Sequence, residues 1–105
     1  MSVTFVYDKR LGISIPHMAC EWETINKAEQ EAILAEWEKS RGDIPDRVKE
    51  LEDEINHLQQ RLYDENDFVM SCKLNDEISE LASTINDLWI WYRTGATISQ
   101  QKKHA

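Results

Sequence analysis

The stretch from residue 48 to residue 81 reads VKELEDEINHLQQRLYDENDFVMSCKLNDEISEL, and it contains two apolar series on either side of a polar interruption. Both series recur at intervals of three and four, which is the spacing of a helix face that packs along another helix. They consist of Val48, Leu51, Ile55, Leu58 and Leu62, then Leu74, Ile78, Leu81, Ile85, Leu88 and Tyr92. The segment YDENDF at residues 63–68 is rich in residues that favour caps and turns. The sequence therefore predicts helices at about 45–64 and 67–93.

The numbering of the two series predicts an antiparallel arrangement. Residues at the same height in an antiparallel hairpin have numbers that add to a constant. Three apolar pairs add to one number: Ile44 with Leu88, Leu51 with Leu81, and Leu58 with Leu74. We therefore expect a helical hairpin folded at residues 65–67. Its expected core consists of Leu51, Ile55, Leu74, Ile78 and Leu81. One continuous helix that dimerises in parallel is the alternative.

The N-terminal region predicts a small β-hairpin at about residues 2–16. Apolar residues alternate along it, as in half-buried strands: Val3, Phe5 and Tyr7, then Ile13 and Ile15. A polar turn that ends in Gly12 separates the two strands, and Pro16 closes the second one. Two strands alone are marginally stable in water, so this hairpin needs a helix to pack on.

A further helix is predicted at about residues 26–41. Asn26 can cap its first turn, and Glu29 three residues later completes a capping box. The apolar stripe of this helix is narrow, so Trp37 is expected to be its main anchor. We expect the helix to pack against the open end of the hairpin, opposite the bend.

The 105 residues give room for one small domain, which we assign to residues 1–95. Gly95 is the predicted C-cap of the last helix, and residues 96–105 are expected to form a disordered tail. Twelve Lys and Arg against twenty Asp and Glu give a net charge of −8. This balance argues against direct binding of nucleic acid and suits a solvated surface or a basic protein partner.

The sequence shows no pattern that is typical of a targeting signal. The N-terminal segment MSVTFVYDKR has no long apolar run, and no stretch reaches the roughly 18 apolar residues of a membrane span. Cys20 and Cys72 are expected to be free thiols, because disulfides are rare in reducing compartments. We therefore expect a cytoplasmic protein that does not associate with membranes.

Residues 67–81, DFVMSCKLNDEISEL, resemble the second half of the UVR motif of excision-repair proteins and of some Clp-type ATPases and their adaptors. The matching positions are Phe68, Leu74, Asp76, Ile78 and Leu81, while Ser71 and Asn75 replace the usual alanine and arginine. With one additional helical turn before the bend, the first half fits at Leu51, Ile55 and Leu58, so that the resemblance covers about residues 47–81. It implies a short antiparallel helical hairpin that docks on another such hairpin or on a partner protein.

Two groups of side chains are candidates for reactive sites. The acidic spacing Asp76, Glu77, Glu80 and Asp87 is similar to that of all-α nucleotide pyrophosphohydrolases, which hold magnesium on helical carboxylates. At 100° per residue, however, three of these carboxylates lie opposite the apolar stripe and are expected to face water. The second group, a zinc set, consists of His17, Cys20, His57 and Cys72. Because no further motif supports either site, we expect no catalytic residue, cofactor or metal.

Two surfaces are candidates for contact with proteins. The segment LWIWYR at residues 88–93 carries more apolar side chains than one helix face can cover, so part of it needs a partner. The predicted partner-binding residues are Trp91, Ile90, Asp87, Tyr92 and Trp22. Trp89 is expected to be buried, and the cover of Trp91 is either another protein or this chain's own β-hairpin or tail. Residues near the bend are predicted to pair two copies: Leu62, Val69 and Met70.

The sequence as a whole predicts a mostly α domain. It consists of an antiparallel helical hairpin, an additional N-terminal helix and a small N-terminal β-hairpin. The expected function is that of a non-enzymatic interaction protein, an adaptor or regulator, with a possible homodimer. An acidic inhibitor that imitates nucleic acid and blocks a basic site is the alternative, and a magnesium-dependent pyrophosphohydrolase is the third.

Overall fold

The computed structural model describes the backbone of residues 3–100 and the side chains of residues 3–93. Its elements are strand β1 (Val3–Asp8), strand β2 (Ile13–Met18), a 3-10 turn (Trp22–Thr24), and helices α1 (Lys27–Gly42), α2 (Ile44–Asp64) and α3 (Phe68–Gln100). The predicted fold class is confirmed: a helical hairpin with an additional helix and a small β-hairpin, mostly α overall.

Helices α2 and α3 form the long hairpin. Pro45 lies in the first turn of α2, where its missing N–H breaks no helical hydrogen bond. The chain leaves α2 at Glu65, whose N–H donates to the carbonyl oxygen of Leu62 at 3.2 Å. Phe68 begins α3, so the bend occupies residues 65–67 as the numbering predicts.

The seam between α2 and α3 is buried at the apolar positions that face the other helix. These are Ile44, Val48, Leu51 and Leu58 on α2, and Leu74 and Leu88 on α3. Of the five residues of the expected core, Leu51 and Leu74 are buried, whereas Ile55, Ile78 and Leu81 are half-buried. Two helices that pack alone cover one face of each other, so side chains on the flanks of the seam keep contact with water.

Helix α1 packs at the open end of the hairpin, where it closes the main core. The Asn26 side chain accepts a hydrogen bond from the Glu29 N–H at 2.8 Å, which confirms the predicted N-cap. Trp37 is completely buried and is the anchor of α1. It belongs to a cluster of buried residues from five segments: Leu11, Ile13, Trp37, Ile44, Val48, Leu51 and Leu88.

The β-hairpin presents apolar residues on both of its faces. Its register pairs Phe5 with Pro16 and Val6 with Ile15, so Phe5 and Ile15 point to opposite sides. Ile13 and Ile15 pack against the main core. Val3, on the other face, joins a second cluster with Trp22, Ile25 and Ile33. The hairpin is therefore held between the two clusters.

The turn of the β-hairpin depends on Gly12, which has a positive φ of 76°. Its N–H donates to the carbonyl oxygen of Asp8 at 2.7 Å. A Cβ atom here would clash with Nε of Arg47, so both the backbone conformation and the neighbouring side chain favour glycine.

The boundaries differ from the sequence prediction at two places. Strand β2 continues through Pro16 to Met18, because an edge strand tolerates proline. Helix α3 continues through Gly95 to Gln100, so Gly95 is not a C-cap and residues 96–100 of the predicted tail are helical. An interior glycine weakens a helix by about 1 kcal/mol and does not end it when the following residues can continue it. Residues 101–105 lie outside the described part of the chain.

Candidate interaction surfaces

The turn of the β-hairpin is fixed on α3 by Arg10. Nε of Arg10 donates to Oε1 of Glu80 at 2.9 Å, and Nη1 donates to Oδ2 of Asp87 at 2.9 Å. Nη2 donates to Oγ of Ser83 at 3.2 Å. Hydrogen bonds to Glu80 and Asp87 raise the pKa of Arg10 above its ordinary value. The arginine therefore holds the turn against residues that the sequence predicted to face open water.

A second arginine holds the same turn from α2. Nε of Arg47 donates to the carbonyl oxygen of Leu11 at 3.0 Å, and Nη2 donates to the carbonyl oxygen of Arg10 at 3.3 Å. Leu11 is buried in the main core. The turn is thus buried through Leu11 and hydrogen-bonded to both α2 and α3. These contacts place the β-hairpin over the open end of the two helices.

Trp91 is covered from inside the molecule. Its ring lies 5.6 Å from the ring of Trp37, at an interplanar angle of 59°. The β-hairpin forms the other wall of a small cleft of about 250 Å³, lined by Asp8, Arg10, Leu11, Ile15, Asp87, Ile90 and Trp91. Of the two covers that the sequence left open for Trp91, the structure shows the internal one, and the indole is half-buried.

Trp89 is the more exposed indole, so the expectation that it is buried was wrong. It is 36% exposed, and its neighbour Ile90 is 47% exposed. The reason is the drift of a heptad stripe around a straight helix, about 20° per heptad. Around the helix axis, Trp91 lies about 60° from Leu88 and Trp89 lies about 100° from it. The drift turns the apolar stripe toward Trp91, so at Leu88 the stripe is closer to Trp91 than to Trp89. An angle measured from the centre of the whole apolar stripe of α3 gives the opposite order for the two indoles.

Tyr92 connects α3 with the end of α1. Its ring meets that of Trp89 edge to face, with 5.4 Å between the centroids. The guanidinium carbon of Arg41 lies 4.3 Å from the centroid of Tyr92, and Nε of Arg41 donates to the Tyr92 carbonyl oxygen at 2.7 Å. Such cation–π contacts stabilise by about 0.5–1 kcal/mol at exposed sites. Tyr92 is half-buried and serves the packing of α1 on α3.

Trp22 does not join the aromatic residues of α3. It is buried in the second cluster, beside Val3, Ile25 and Ile33. The Gln30 side chain donates a hydrogen bond to its carbonyl oxygen at 2.9 Å. Of the predicted partner-binding residues, Trp22 therefore offers no surface, Asp87 pairs with Arg10, and Trp91 and Tyr92 are half-buried. Ile90 is the member that remains exposed.

The bend of the helical hairpin carries the two most exposed large apolar side chains among the described residues. Tyr63, at the end of α2, is 89% exposed. Phe68 and Val69, in the first turn of α3, are 79% and 61% exposed. Leu62 and Met70 are half-buried next to them. We call these five residues the hairpin tip.

The sequence identified three residues of the hairpin tip, Leu62, Val69 and Met70, as candidates for self-association. It did not single out Tyr63 and Phe68 as exposed residues. The signal was present, because both aromatic residues border the bend and neither belongs to an apolar series that the opposite helix can cover. Their position thus predicts exposure more strongly than that of Leu62, which belongs to the series.

The residues considered for metal chemistry do not form a site. Glu80 and Asp87 form ion pairs with Arg10, while Asp76 and Glu77 are exposed. Cys20 and Cys72 are exposed free thiols. Among the described residues, no group of three or more His, Cys, Asp or Glu side chains is arranged to hold a metal ion.

Comparison of the chain with protein-family models, curated proteins and solved structures gives no match. The resemblance of residues 47–81 to the UVR motif therefore stays a prediction. Within the part of the chain described here, no helix combines the length and the apolar character needed to cross a membrane. The geometry of the hairpin tip and of the open end is thus the main guide to function.

Proposed function

We propose that this protein is a small non-enzymatic interaction module, an adaptor or regulator that docks on another protein through the hairpin tip. The observation that carries the proposal is the exposure of Tyr63, Phe68 and Val69 at one bend. Large apolar groups in contact with water gain free energy when a partner covers them, at about 25 cal/mol per Å² of buried apolar surface. Exposed apolar side chains that are grouped together are typical of protein interaction sites.

The position of the hairpin tip suits docking. The main core lies at the opposite end of α2 and α3, where Trp37, Ile44 and Leu88 are buried. A partner can therefore bind the tip without disturbing the packing that holds the fold. The two helices also hold the aromatic residues of the tip on rigid elements, which lowers the entropy that is lost on binding.

The charges next to the hairpin tip favour a basic partner. Asp64 and Asp67 are exposed beside Tyr63 and Phe68, and the whole chain has a net charge of −8. Complementary charges increase the rate of association and select among partners. The partner surface that fits best combines an apolar pocket with Lys or Arg at its rim. The resemblance of residues 47–81 to the UVR motif supports the same proposal, because that motif docks through a helical hairpin.

The test is capture of a partner from extract of the native host with the tagged full-length chain. The double variant Tyr63→Ser with Phe68→Ser removes the aromatic side chains of the tip and leaves the core unchanged. We expect it to lose the captured protein, because interface aromatic residues commonly contribute about 2 kcal/mol or more each. Its thermal unfolding midpoint should match that of the wild type.

Ile90→Ser is the matched control, since Ile90 is an exposed apolar residue at the other end of the hairpin. It should capture the partner as the wild type does. If Ile90→Ser loses the partner while the tip variant keeps it, the docking surface is the open end and the proposal is wrong. A complex that forms with both variants and dissociates at moderate salt would favour the acidic inhibitor instead.

A further inference from the structure

Strand β1 has a free edge. In the described part of the chain, the sheet consists of β1 and β2, so no other strand pairs with the far side of β1. No backbone hydrogen bond among the described residues joins that side to a helix. Of the two strands, β2 makes the more extensive contact with helix α1. Unpaired N–H and C=O groups along such an edge can pair with one more strand.

The two edges of the sheet differ in their protection against pairing. Strand β2 contains Pro16, which has no N–H to donate and is one of the residues that protect sheet edges. Strand β1 reads VTFVYD, without proline, glycine or lysine, and Asp8 is its first charged residue. Val6 and Tyr7 on this strand are exposed. Because proteins usually protect an edge of this composition, the open edge of β1 indicates that pairing is used.

A groove of about 500 Å³ runs beside the same edge. One wall consists of the consecutive residues Val3, Thr4 and Phe5, and the other wall consists of Ala32, Ile33 and Glu36 of α1. Consecutive residues of a strand point to opposite faces, so a groove lined by three of them follows the edge of the strand. A strand paired with β1 could place an alternate side chain in this groove.

We propose that β1 binds an extended peptide of a partner protein as a third strand, with an apolar side chain in the groove and a Lys or Arg beside Glu36. In this mode of recognition, backbone hydrogen bonds provide affinity and the groove provides specificity. The charge follows from Glu36, whose side chain is more than half exposed and whose ion pair with Lys39 is long, at 3.7 Å. A second copy fits less well, because each chain has a net charge of −8.

The probe is a capped seven-residue peptide of alternating Val and Thr with Lys at both ends, titrated into the ¹⁵N-labelled full chain. NMR shifts are expected at the amides of residues 3–7 and of Ala32, Ile33 and Glu36. Two further peptides carry N-methyl groups on alternate residues, one peptide for each edge of the probe strand. Since a strand bonds to β1 through one edge, one methylated peptide should lose about tenfold or more in affinity and the other should bind like the parent. Equal binding of both would overturn the pairing.

Two alanines of α1 provide matched variants. Ala32 lines the groove, whereas Ala35 is exposed on the same helix outside it. Ala32→Trp should weaken binding by about tenfold or more, because the indole fills the groove, and Ala35→Trp should have no effect. A probe with Glu in place of Lys should bind more weakly than the parent.

Other outcomes would contradict the proposal. Shifts confined to the hairpin tip would show that the probe binds an unrelated apolar surface. Sedimentation compares the wild type with Ala32→Trp, each with and without the peptide. Dimers that are lost in Ala32→Trp but are not dissociated by the peptide would show that the edge binds a second copy instead. Neither result depends on the partner of the hairpin tip, because the tip variant Tyr63→Ser with Phe68→Ser should bind the probe normally.

Discussion

The two ends of the α2/α3 hairpin contain similar apolar residues and differ in what surrounds them. At the open end, α1 and the β-hairpin cover the helices, and Trp37, Ile44 and Leu88 are inaccessible to water. At the bend no other described element packs on the helices, and Tyr63 and Phe68 are among the most exposed side chains. The comparison shows that apolar residues at one end hold the fold together, while those at the other end remain in contact with water.

The largest expected effect is at the centre of the open end. Trp37→Ala should lower the free energy of unfolding by about 3–5 kcal/mol, because a completely buried indole is replaced by a cavity. Chemical denaturation measures the loss. Trp37→Phe is the control: Nε1 of Trp37 has no hydrogen-bond partner among the described residues, so Phe removes no hydrogen bond and should be less damaging. A loss below about 1 kcal/mol for Trp37→Ala would show that the open end is not the core.

A smaller effect separates the two indoles of α3. Trp91→Ala should destabilise the protein by about 2–3 kcal/mol, because Trp91 packs on Trp37 and is covered by the β-hairpin. Trp89→Ala should lower stability by about 1 kcal/mol, since it removes a ring that is already 36% exposed and one contact with Tyr92. Thermal and chemical unfolding of the two variants, measured side by side, check the order. The reverse order would show that Trp89 is the more buried indole, as the sequence predicts.

These two positions show what the sequence determines and what it leaves open. Regular spacing predicts the hairpin, its bend and the burial of Leu51, Leu58 and Leu74, because each depends on residues close in sequence or on one helix face. The burial of Trp37 follows from its size, because it is the largest apolar side chain on the narrow stripe of α1. Which of Trp89 and Trp91 is more exposed depends on the drift of the apolar stripe around α3. A single reference direction for the whole helix ignores that drift.

The candidate surfaces were harder to predict, because they depend on contacts distant in sequence. The hydrogen bonds of Arg10 with Glu80 and Asp87 join residues 70 and 77 positions apart, and no periodicity predicts such pairs. The register of the β-hairpin also decides which strand residues face α1, and a simple alternation fits either face. Tyr63 and Phe68 could have been identified, since exposure follows from their place outside the seam.

Arg10 tests how firmly the β-hairpin covers the open end. Arg10→Ala should lower the free energy of unfolding by about 0.5–1.5 kcal/mol at low salt, because it removes two exposed ion pairs of modest strength. The difference from the wild type should shrink as salt is raised, since ions screen exposed charges. Denaturation at low and at high salt measures both effects. Lys39→Ala is the control, since it removes a long exposed pair within α1 and should have little effect.

Arg10 should contribute to stability across the whole ordinary pH range. Its pKa is raised in the folded state by hydrogen bonds to Glu80 and Asp87. A group with a raised pKa stabilises the fold fully below its unfolded pKa and loses that contribution only as pH rises through the folded value. For an arginine this loss lies in strongly alkaline solution. Denaturation of the wild type and of Arg10→Ala at neutral and at moderately alkaline pH should therefore show the same difference in stability.

The smallest expected effect on stability is at the hairpin tip. Tyr63→Ser with Phe68→Ser should change the free energy of unfolding by less than about 0.5 kcal/mol, because both side chains are largely exposed already.

The same surface is where Leu62, Val69 and Met70 are predicted to pair two copies. Sedimentation of the wild type over a concentration series up to about 100 µM measures that association, a concentration that corresponds to a weak complex. If the wild type forms dimers and the double variant remains monomeric with unchanged stability, the exposed aromatic side chains of the tip drive association. If the wild type and the double variant are both monomers at every concentration, the prediction of self-association is wrong. The proposed partner of the hairpin tip is then a different protein. A double variant that unfolds as readily as Trp37→Ala would instead show that the two ends of the hairpin do not differ as the structure indicates.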